Sequence, residues 1–134
     1  MHKTKIVTTF LTNSDKILLL KRSQKVKSMK NLWAGISGII EGNEEPVKRA
    51  KIEVYEEVGI AESEIKLIKE GDVILIESPQ YENHQWEVYP FLFSCNDKEI
   101  KLNWENSDSK WINVNELNDF MTVPSLDKVL TRLF

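Results

Sequence analysis

Residues 38–60, GIIEGNEEPVKRAKIEVYEEVGI, constrain the fold of this chain more than any other segment. Pro46 suits the first position of a helix, because its missing N–H has no partner there in any helix. Gly59 suits the position just past the end, where a left-handed residue closes a helix. Apolar residues recur between them every three or four positions, at Val47, Ala50, Val54 and Val58. This spacing predicts a helix over Pro46–Val58 with one buried stripe.

Three glutamates of this helix fall on one face. At about 100° per residue, Glu53 and Glu57 lie on one flank of the apolar stripe, and Glu56 lies further round. Like charges at these spacings repel by roughly 0.2–0.5 kcal/mol per pair, so a cation is expected to compensate them. Mg²⁺ is the simplest candidate, since it prefers oxygen ligands and keeps positions for water and phosphate, and Mn²⁺ accepts the same ligands. A solvated acidic face is the alternative that the helix alone leaves open.

The loop before the helix completes a pattern that resembles the box of the Nudix hydrolases. That box reads G, five residues, E, seven residues, R-E-U-x-E-E-x-G-U, where U is aliphatic. Eight of its nine fixed positions are in register here: Gly38, Glu44, Glu53, Val54, Glu56, Glu57, Gly59 and Ile60. The ninth differs, because Ile52 stands where the family has arginine, and Ser37 stands where a second glycine usually precedes the box.

The box arginine of the family normally helps to hold the glutamates in place. In this chain Arg49 lies four residues before Glu53 and falls between Glu53 and Glu56 on the helical wheel. We therefore expect Arg49, or else Lys48, to supply the missing cation.

The order of predicted elements extends the resemblance over the whole chain. Residues 3–11 and 16–22 are predicted to form a hairpin around a polar turn, followed by a surface loop over 23–31. Further strands are predicted over residues 32–37, 65–69, 72–77, 86–94 and 111–114, and short helices capped by Asn115 and Ser125. The 86–94 strand is apolar on both faces, which predicts a central position. The resemblance implies an α/β/α sandwich with a mixed sheet, with residues 1–134 as one domain.

The resemblance also implies a metal-dependent hydrolase of compounds that contain a nucleoside diphosphate. In such reactions water attacks phosphorus while divalent metal ions neutralise the phosphate oxygens. Glu53, Glu56 and Glu57 are the expected metal ligands, with a backbone carbonyl near Gly38, and Glu44 would orient them or bind through water. The proton acceptor is Glu53 itself or a loop carboxylate, with Glu105 as the candidate and Glu82 and Glu87 as rivals.

Four further residues are candidate substrate contacts. Arg22 ends a predicted strand, Trp33 precedes the box, and Tyr81 and His84 lie in a loop with Trp86 close by. For Arg22, Trp33 and His84 the alternative is a packing or surface role without any contact to substrate.

The preferred substrate class is a (d)NTP or an oxidised nucleotide, cleaved as by a pyrophosphatase. Signatures of the ADP-ribose, dinucleoside polyphosphate and NADH groups are not evident after the box. One alternative is a Nudix-fold nucleotide-binding module that has lost catalysis, for which Ile52 is the argument. Another is an isomerase of the isopentenyl diphosphate type, although no catalytic cysteine motif is evident around Cys95.

Composition limits the partners of the chain. A net charge of −3 and a pI near 5.5 argue against a general binder of nucleic acid or membrane surfaces. The single cysteine permits no internal disulfide and suits a reducing compartment, so a cytoplasmic protein is expected. No signal peptide or spanning segment is evident. The sequence leaves homodimer formation open.

Overall fold

The computed structural model describes residues 2–77, 83–96 and 99–134. The strands are β1 (His2–Asn13), β2 (Lys16–Arg22), β3 (Trp33–Ala34), β4 (Ile36–Ile39), β5 (Ile65–Glu70), β6 (Ile74–Glu77), β7 (His84–Cys95) and β8 (Asn106–Asn113). The α-helices are α1 (Pro46–Val58) and α2 (Leu126–Thr131), and short 3₁₀ helices span Glu62–Glu64 and Val114–Asp119. No helix in the described part of the chain is long and apolar enough to span a membrane.

A long parallel pair, β1 with β7, forms the centre of a mixed sheet. Its register runs from His2 opposite His84 to Thr12 opposite Ser94. All the other strand pairs are antiparallel: β1 with β2 and β4, β7 with β5 and β6, and β2 with β3 and β8. The central position predicted for the strand over 86–94 is confirmed, because β7 has neighbours on both sides.

Alternating residues of the central strands build a core on each face of the sheet. On one face Leu18, Leu20, Phe91 and Phe93 pack with Ala50, Val54 and Val58 of α1. On the other face Ile17, Leu19 and Leu92 pack with Leu126, Val129 and Leu130 of α2. Each of the larger side chains, Val, Leu, Ile or Phe, contributes roughly 1.5–3 kcal/mol when it is fully buried. The predicted α/β/α sandwich is therefore confirmed.

Helix α1 has the bounds that its sequence predicts. Pro46 occupies its first turn, and Gly59 adopts φ +76° and donates its N–H to Tyr55 O at 3.0 Å. A positive φ is unfavourable for a residue with a Cβ, so glycine is required at this helix end.

Two strand predictions needed correction. β1 and β2 pair only beside their turn, at Thr12 opposite Ile17 and Asn13 opposite Lys16, so the predicted hairpin separates almost at once. Beyond the turn, β1 pairs with β4 and β7 instead. The predicted strand over 111–114 in fact begins at Asn106, because β8 pairs with the whole length of β2.

The two predicted helix caps also differ from the structure. Asn113, and not Asn115, precedes the Val114–Asp119 turn, and its N–H donates to Glu116 Oε1 at 2.8 Å. Ser125 does stand at the N-cap position of α2, but it adopts φ +65°. Within the described chain its side chain makes no capping hydrogen bond, because a left-handed residue does not hold its hydroxyl as an extended cap does.

Candidate active site

A cleft of about 730 Å³ opens beside α1 and the central strands. One part of its lining is charged, with Glu41, Glu53, Glu56, Glu105, Arg22 and Arg49. A second part is apolar, with Ile6, Ile76, Trp86, Val88, Val123, Pro124, Leu126 and Val129. Ile6 pairs with Val88 and Ile76 pairs with Trp86 on neighbouring strands, and the other four apolar residues come from α2 and the segment before it. The cleft therefore joins acidic side chains to an apolar wall.

Glu53 lies directly against Gly38 of β4. Its side chain is buried, with 8% of the residue exposed. A Cβ at residue 38 would overlap the carboxyl carbon of Glu53, so only glycine leaves room for this side chain. The expected roles of Gly38 and Glu53 thus have a shared steric basis.

Replacing Gly38 by alanine is expected to displace the Glu53 carboxylate and to lower turnover by about 10- to 100-fold, as losses around metal ligands do. The change in unfolding free energy should stay below about 1 kcal/mol, because the overlapping atoms are the far end of a flexible side chain. Turnover and urea unfolding of the same preparation measure both effects. No other glycine provides a matched control, because Gly42 has a positive φ and a Cβ at Gly35 would lie 3.0 Å from Thr9 O, so the exposed substitution Glu70→Gln on β5 serves as the control. Wild-type turnover by Gly38→Ala would contradict this steric role.

Glu57 is the most deeply buried carboxylate of the candidate site, with 4% of the residue exposed. Asn106 Nδ2 donates to its Oε1 at 3.2 Å. Its Oε2 is buried and has no hydrogen-bond partner among the described residues. Burial raises the pKa of Glu57 well above the ordinary 4.5, and the negative charges of Glu105 and Glu53 raise it further. Among the described residues, the hydrogen bond from Asn106 is thus the one contact that stabilises the charged form of Glu57, and it does not offset burial and the neighbouring negative charges.

The other two helix glutamates differ in exposure. Burial raises the pKa of Glu53, the hydrogen bond from Arg49 opposes this effect, and the charge of Glu56 adds to it. Glu56 is exposed and lines the cleft. Glu53 and Glu56 thus line the cleft, whereas Glu57 is the most deeply buried of the three. Burial makes ionisation of Glu53 and Glu57 unfavourable.

A divalent cation fits this set of donors. The oxygens are of the type that Mg²⁺ and Mn²⁺ prefer, and a bound cation would stabilise the charged form of Glu57, whose Oε2 is unpaired. As the side chains are placed, however, no three His, Cys, Asp or Glu residues converge into a ready ligand cage in the described ranges. Mutual repulsion of the carboxylates acts against such convergence when no cation is bound, and Arg49 binds one of the two oxygens of Glu53, Oε2, at 3.1 Å.

Arg49 also joins the loop before the helix to the site. It contacts both oxygens of Glu44, and this hydrogen bonding lowers the pKa of Glu44, with a smaller contribution from the N–H of Glu41. Of the two cations named from the sequence, Arg49 makes the ion pairs, whereas Lys48 is exposed.

Glu105 reaches the cleft from a loop that is fastened to the end of α1. The N–H of Asn103 donates to Glu57 O at 3.3 Å, and the N–H of Lys101 donates to Val58 O at 2.9 Å. Asn103 Nδ2 then donates to Glu105 Oε1 at 3.3 Å and orients that carboxylate. The charge of Glu105 lies close enough to raise the pKa of Glu57.

Of the four candidate substrate contacts, Arg22 lines the cleft. Its Nε and Nη2 donate to Ser28 O at 3.3 and 3.1 Å, which holds the loop over residues 23–31 against the end of β2. A guanidinium has five N–H groups, so donors remain for a ligand. Tyr81 and the rival base Glu82 lie outside the described residues.

The structure does not bring Trp33 or His84 into the described lining of the cleft. The Trp33 ring packs edge-to-face on Phe120, with centroids 5.3 Å apart, and Lys110 Nζ lies 5.7 Å from its centroid. His84 Nε2 lies 2.8 Å from Thr4 Oγ1, and its ring packs on Trp86 at 4.5 Å. Both are held by neighbours from other elements, which local sequence does not reveal. Glu87 likewise pairs with Leu75 in the sheet and is absent from the described lining.

Sequence reasoning missed the residues that hold the carboxylates. Asn103 orients Glu105, and Asn106 donates to Glu57. Thr8 and Ser37 line the cleft with their hydroxyls 3.2 Å apart. Asn106 binds the side chain of Glu57, which lies 49 residues earlier, and the N–H of Asn103 binds the carbonyl of the same residue, so local sequence does not reveal these two contacts.

The profile of the NUDIX domain matches residues 2–133, so the chain belongs to the Nudix family. It is a Nudix pyrophosphohydrolase, a class of enzymes that act on nucleoside diphosphate derivatives and generally use divalent metals. The resemblance found in the box is thereby confirmed. A search of curated proteins finds no significant match.

Solved Nudix structures share the fold at low sequence identity. An Ap4A hydrolase from C. elegans superposes with a TM-score of 0.74 at 15% identity, covering 98% of this chain and 94% of that one. A MutT protein from Methanosarcina mazei gives 0.76 at 19% identity, covering 98% and 92%. A MutT NUDIX hydrolase from Burkholderia pseudomallei gives 0.76 at 19% identity, covering all of both chains. At these identities the likeness shows the fold alone.

Proposed function

We propose that this chain is a pyrophosphatase of (d)NTPs or oxidised nucleotides that works with Mg²⁺ or Mn²⁺. The observation that carries the proposal is the cleft, in which buried and exposed carboxylates adjoin an apolar wall that contains Trp86. A nucleotide has the complementary chemistry, with a charged phosphate chain at one end and a flat base at the other.

Glu53, Glu56 and Glu57 would hold the cation, together with a backbone carbonyl near Gly38. Glu56 and Glu53 line the cleft, and the unpaired oxygen of Glu57 supports a ligand role for that residue. When bound, the cation supplies neutralisation of phosphate charge and a lower pKa for bound water. Glu44 contributes through Arg49, since its two oxygens are both engaged by that guanidinium.

Glu105 is the proposed proton acceptor. It lines the cleft, its carboxylate is oriented by Asn103, and the adjoining loop is fastened to α1. A positioned carboxylate of this kind accepts a proton from water as the water attacks. Glu53 is the less suitable candidate, because Arg49 already holds its Oε2.

Two further residues suit the two ends of a nucleotide. Arg22 retains free donors for phosphate oxygens beside the cleft, and a guanidinium matches phosphate geometry in a bidentate manner. Trp86 lines the apolar part of the cleft and offers a ring face for a base.

The test is a substrate panel of ordinary and oxidised (d)NTPs, dinucleoside polyphosphates, ADP-ribose and an isoprenyl diphosphate, each with Mg²⁺ or Mn²⁺. We expect a nucleoside monophosphate and pyrophosphate as products from (d)NTPs or their oxidised forms. Glu56→Gln should lower that turnover by more than about 100-fold without unfolding the protein, because Glu56 is exposed. Exposed Glu70 on β5 provides the matched control Glu70→Gln.

Each of the other possible results of this panel would indicate a different function for the protein. Tight nucleotide binding without turnover would indicate the binding module that Ile52 suggests. Turnover of the isoprenyl diphosphate would favour the isomerase. Preferred cleavage of ADP-ribose or a dinucleoside polyphosphate would replace the substrate class proposed here.

A further inference from the structure

Arg49 is hydrogen-bonded to two carboxylates, Glu44 in the loop and Glu53 on α1, and a third, Glu41 Oε2, lies 3.8 Å from its Nη2. Its Nη2 and Nε lie 2.6 and 3.0 Å from the two oxygens of Glu44, a bidentate contact, and its Nη1 lies 3.1 Å from Glu53 Oε2. Only 13% of its side chain is exposed. Bidentate contacts between arginine and carboxylate fix geometry as well as charge, so Arg49 sets the relative position of Glu44 and Glu53.

Glu44 is itself fastened in the loop before the helix. Its Oε1 accepts the N–H of Glu41 at 2.7 Å, and its own N–H donates to Glu41 O at 3.2 Å. Arg49 therefore connects a closed loop turn to a buried side chain of α1. Its removal would free both carboxylates at once.

Position 49 can replace position 52 for a geometric reason. Residues three apart on a helix are neighbours on its surface, so a guanidinium at position 49 lies beside the region that one at position 52 would occupy. Ile52 occupies the usual arginine position and is partly buried. The guanidinium of this chain thus lies three residues earlier on α1 than the arginine of the family box, while the glutamates keep the box spacing.

We infer that Arg49 is the positioning residue of this site and performs, from three residues earlier, the task of the arginine that Ile52 replaces. It holds Glu53 through one oxygen, and a carboxylate can use its second oxygen for another ligand. The ligand role of Glu53 rests on the proposed function, whereas the link between Arg49, Glu44 and Glu53 rests on the contacts alone. An ordinary exposed ion pair would contribute little, and the variants below separate the two cases.

The experiment measures Mn²⁺ binding by electron paramagnetic resonance on the full chain without any nucleotide. Arg49→Ala should weaken Mn²⁺ affinity by roughly 10- to 100-fold, as the loss of residues that orient metal ligands does. Lys48→Ala is the matched control, since it removes the same charge from the neighbouring position without those contacts. Arg49→Lys should recover less than half of the loss on a logarithmic scale, because lysine lacks the bidentate geometry.

A double variant that moves the arginine from position 49 to position 52 provides the decisive test. Ile52→Arg combined with Arg49→Ala should recover about tenfold or more of the lost Mn²⁺ affinity and should restore kcat in parallel. In EDTA, unfolding of Arg49→Ala, Glu44→Gln and their double variant should show that the two effects are not additive. This readout does not depend on metal or turnover.

Several outcomes would overturn the inference. Arg49→Ala could bind Mn²⁺ no more weakly than Lys48→Ala, the transferred arginine could recover nothing, or the effects of Arg49 and Glu44 could simply add. If Arg49→Ala does not fold, Arg49→Lys and its combination with Ile52→Arg carry the same comparison. Failure of the proposed function alone has a different signature, because the Mn²⁺ and EDTA results would hold while no nucleotide is hydrolysed.

Discussion

Replacing Glu57 by glutamine is expected to stabilise the metal-free protein by about 1–3 kcal/mol, the usual cost of a buried unsatisfied group. Glu57 is buried, its Oε2 has no partner among the described residues, and Glu105 and Glu53 add negative charge nearby. Glutamine keeps the oxygen that accepts from Asn106 Nδ2 and removes the charge. Urea unfolding in EDTA, compared between the variant and wild type, measures the gain.

The gain should depend on pH with a definite sign. Below the ordinary pKa of 4.5 the Glu57 carboxyl is protonated in both the folded and the unfolded chain, so the substitution changes little. As pH rises past that value, the unfolded chain ionises first, and the wild-type fold loses stability until the raised pKa of the folded state is passed. The difference between variant and wild type should therefore be small at about pH 4 and should grow as pH rises above 4.5 towards the raised pKa of the folded state.

The same substitution should abolish function. Glu57 is a proposed metal ligand, and loss of a direct ligand is expected to cost more than the roughly 10- to 100-fold that supporting residues cost, so turnover by Glu57→Gln should fall by more than about 100-fold. Glu70→Gln should leave both stability and turnover near wild type, because Glu70 is exposed on β5. A Glu57→Gln protein that is less stable than wild type at about pH 8 would contradict the description of Glu57 as an uncompensated charge.

Glu105→Gln is expected to lower kcat by about 10²- to 10⁴-fold, the range for loss of a positioned proton acceptor. Mn²⁺ affinity should not fall, because Glu105 is proposed to act on water and not on the cation. Steady-state kinetics and Mn²⁺ titration on the same protein test both parts.

Glu53→Gln separates the two candidates for the proton acceptor. Because Glu53 is a proposed metal ligand, Glu53→Gln should lower Mn²⁺ affinity and kcat together, whereas Glu105→Gln should lower kcat alone. If Glu105→Gln retains wild-type kcat while Glu53→Gln loses it, the proton acceptor is Glu53. The contact between Arg49 and Glu53 would then have a more direct part in the reaction.

The parts of the fold that the sequence predicts are those with local causes. Helix α1 has its proline, its left-handed Gly59 and a repeating apolar stripe within one short segment, and its bounds were correct. The start of β8 was missed because it depends on pairing with β2, which lies more than 80 residues earlier in the chain. The helix cap was predicted at Asn115, two residues after its position at Asn113, for a related reason, because β8 continues as far as Asn113.

The features of the candidate site likewise divide into those with local causes in the sequence and those that depend on distant segments of the chain. The box spacing brings Glu53, Glu56 and Glu57 to one helix, and the position of Arg49 on that helix predicts its contact with Glu53. The supporting contacts of Asn103 and Asn106 arise when the loop before β8 meets the end of α1, and no local pattern records this. Trp33 was named from its proximity in sequence to the box, but its ring packs on Phe120, which comes from a distant segment.

The most direct test of this account is the location of Mn²⁺ by anomalous diffraction in crystals grown with a non-hydrolysable nucleotide. We expect Mn²⁺ between Glu53, Glu56 and Glu57, shared with the phosphate oxygens, and the base against Trp86. A bound nucleotide with no Mn²⁺ on those glutamates, or with Mn²⁺ held elsewhere, would contradict the central claim that this helix face binds the catalytic cation.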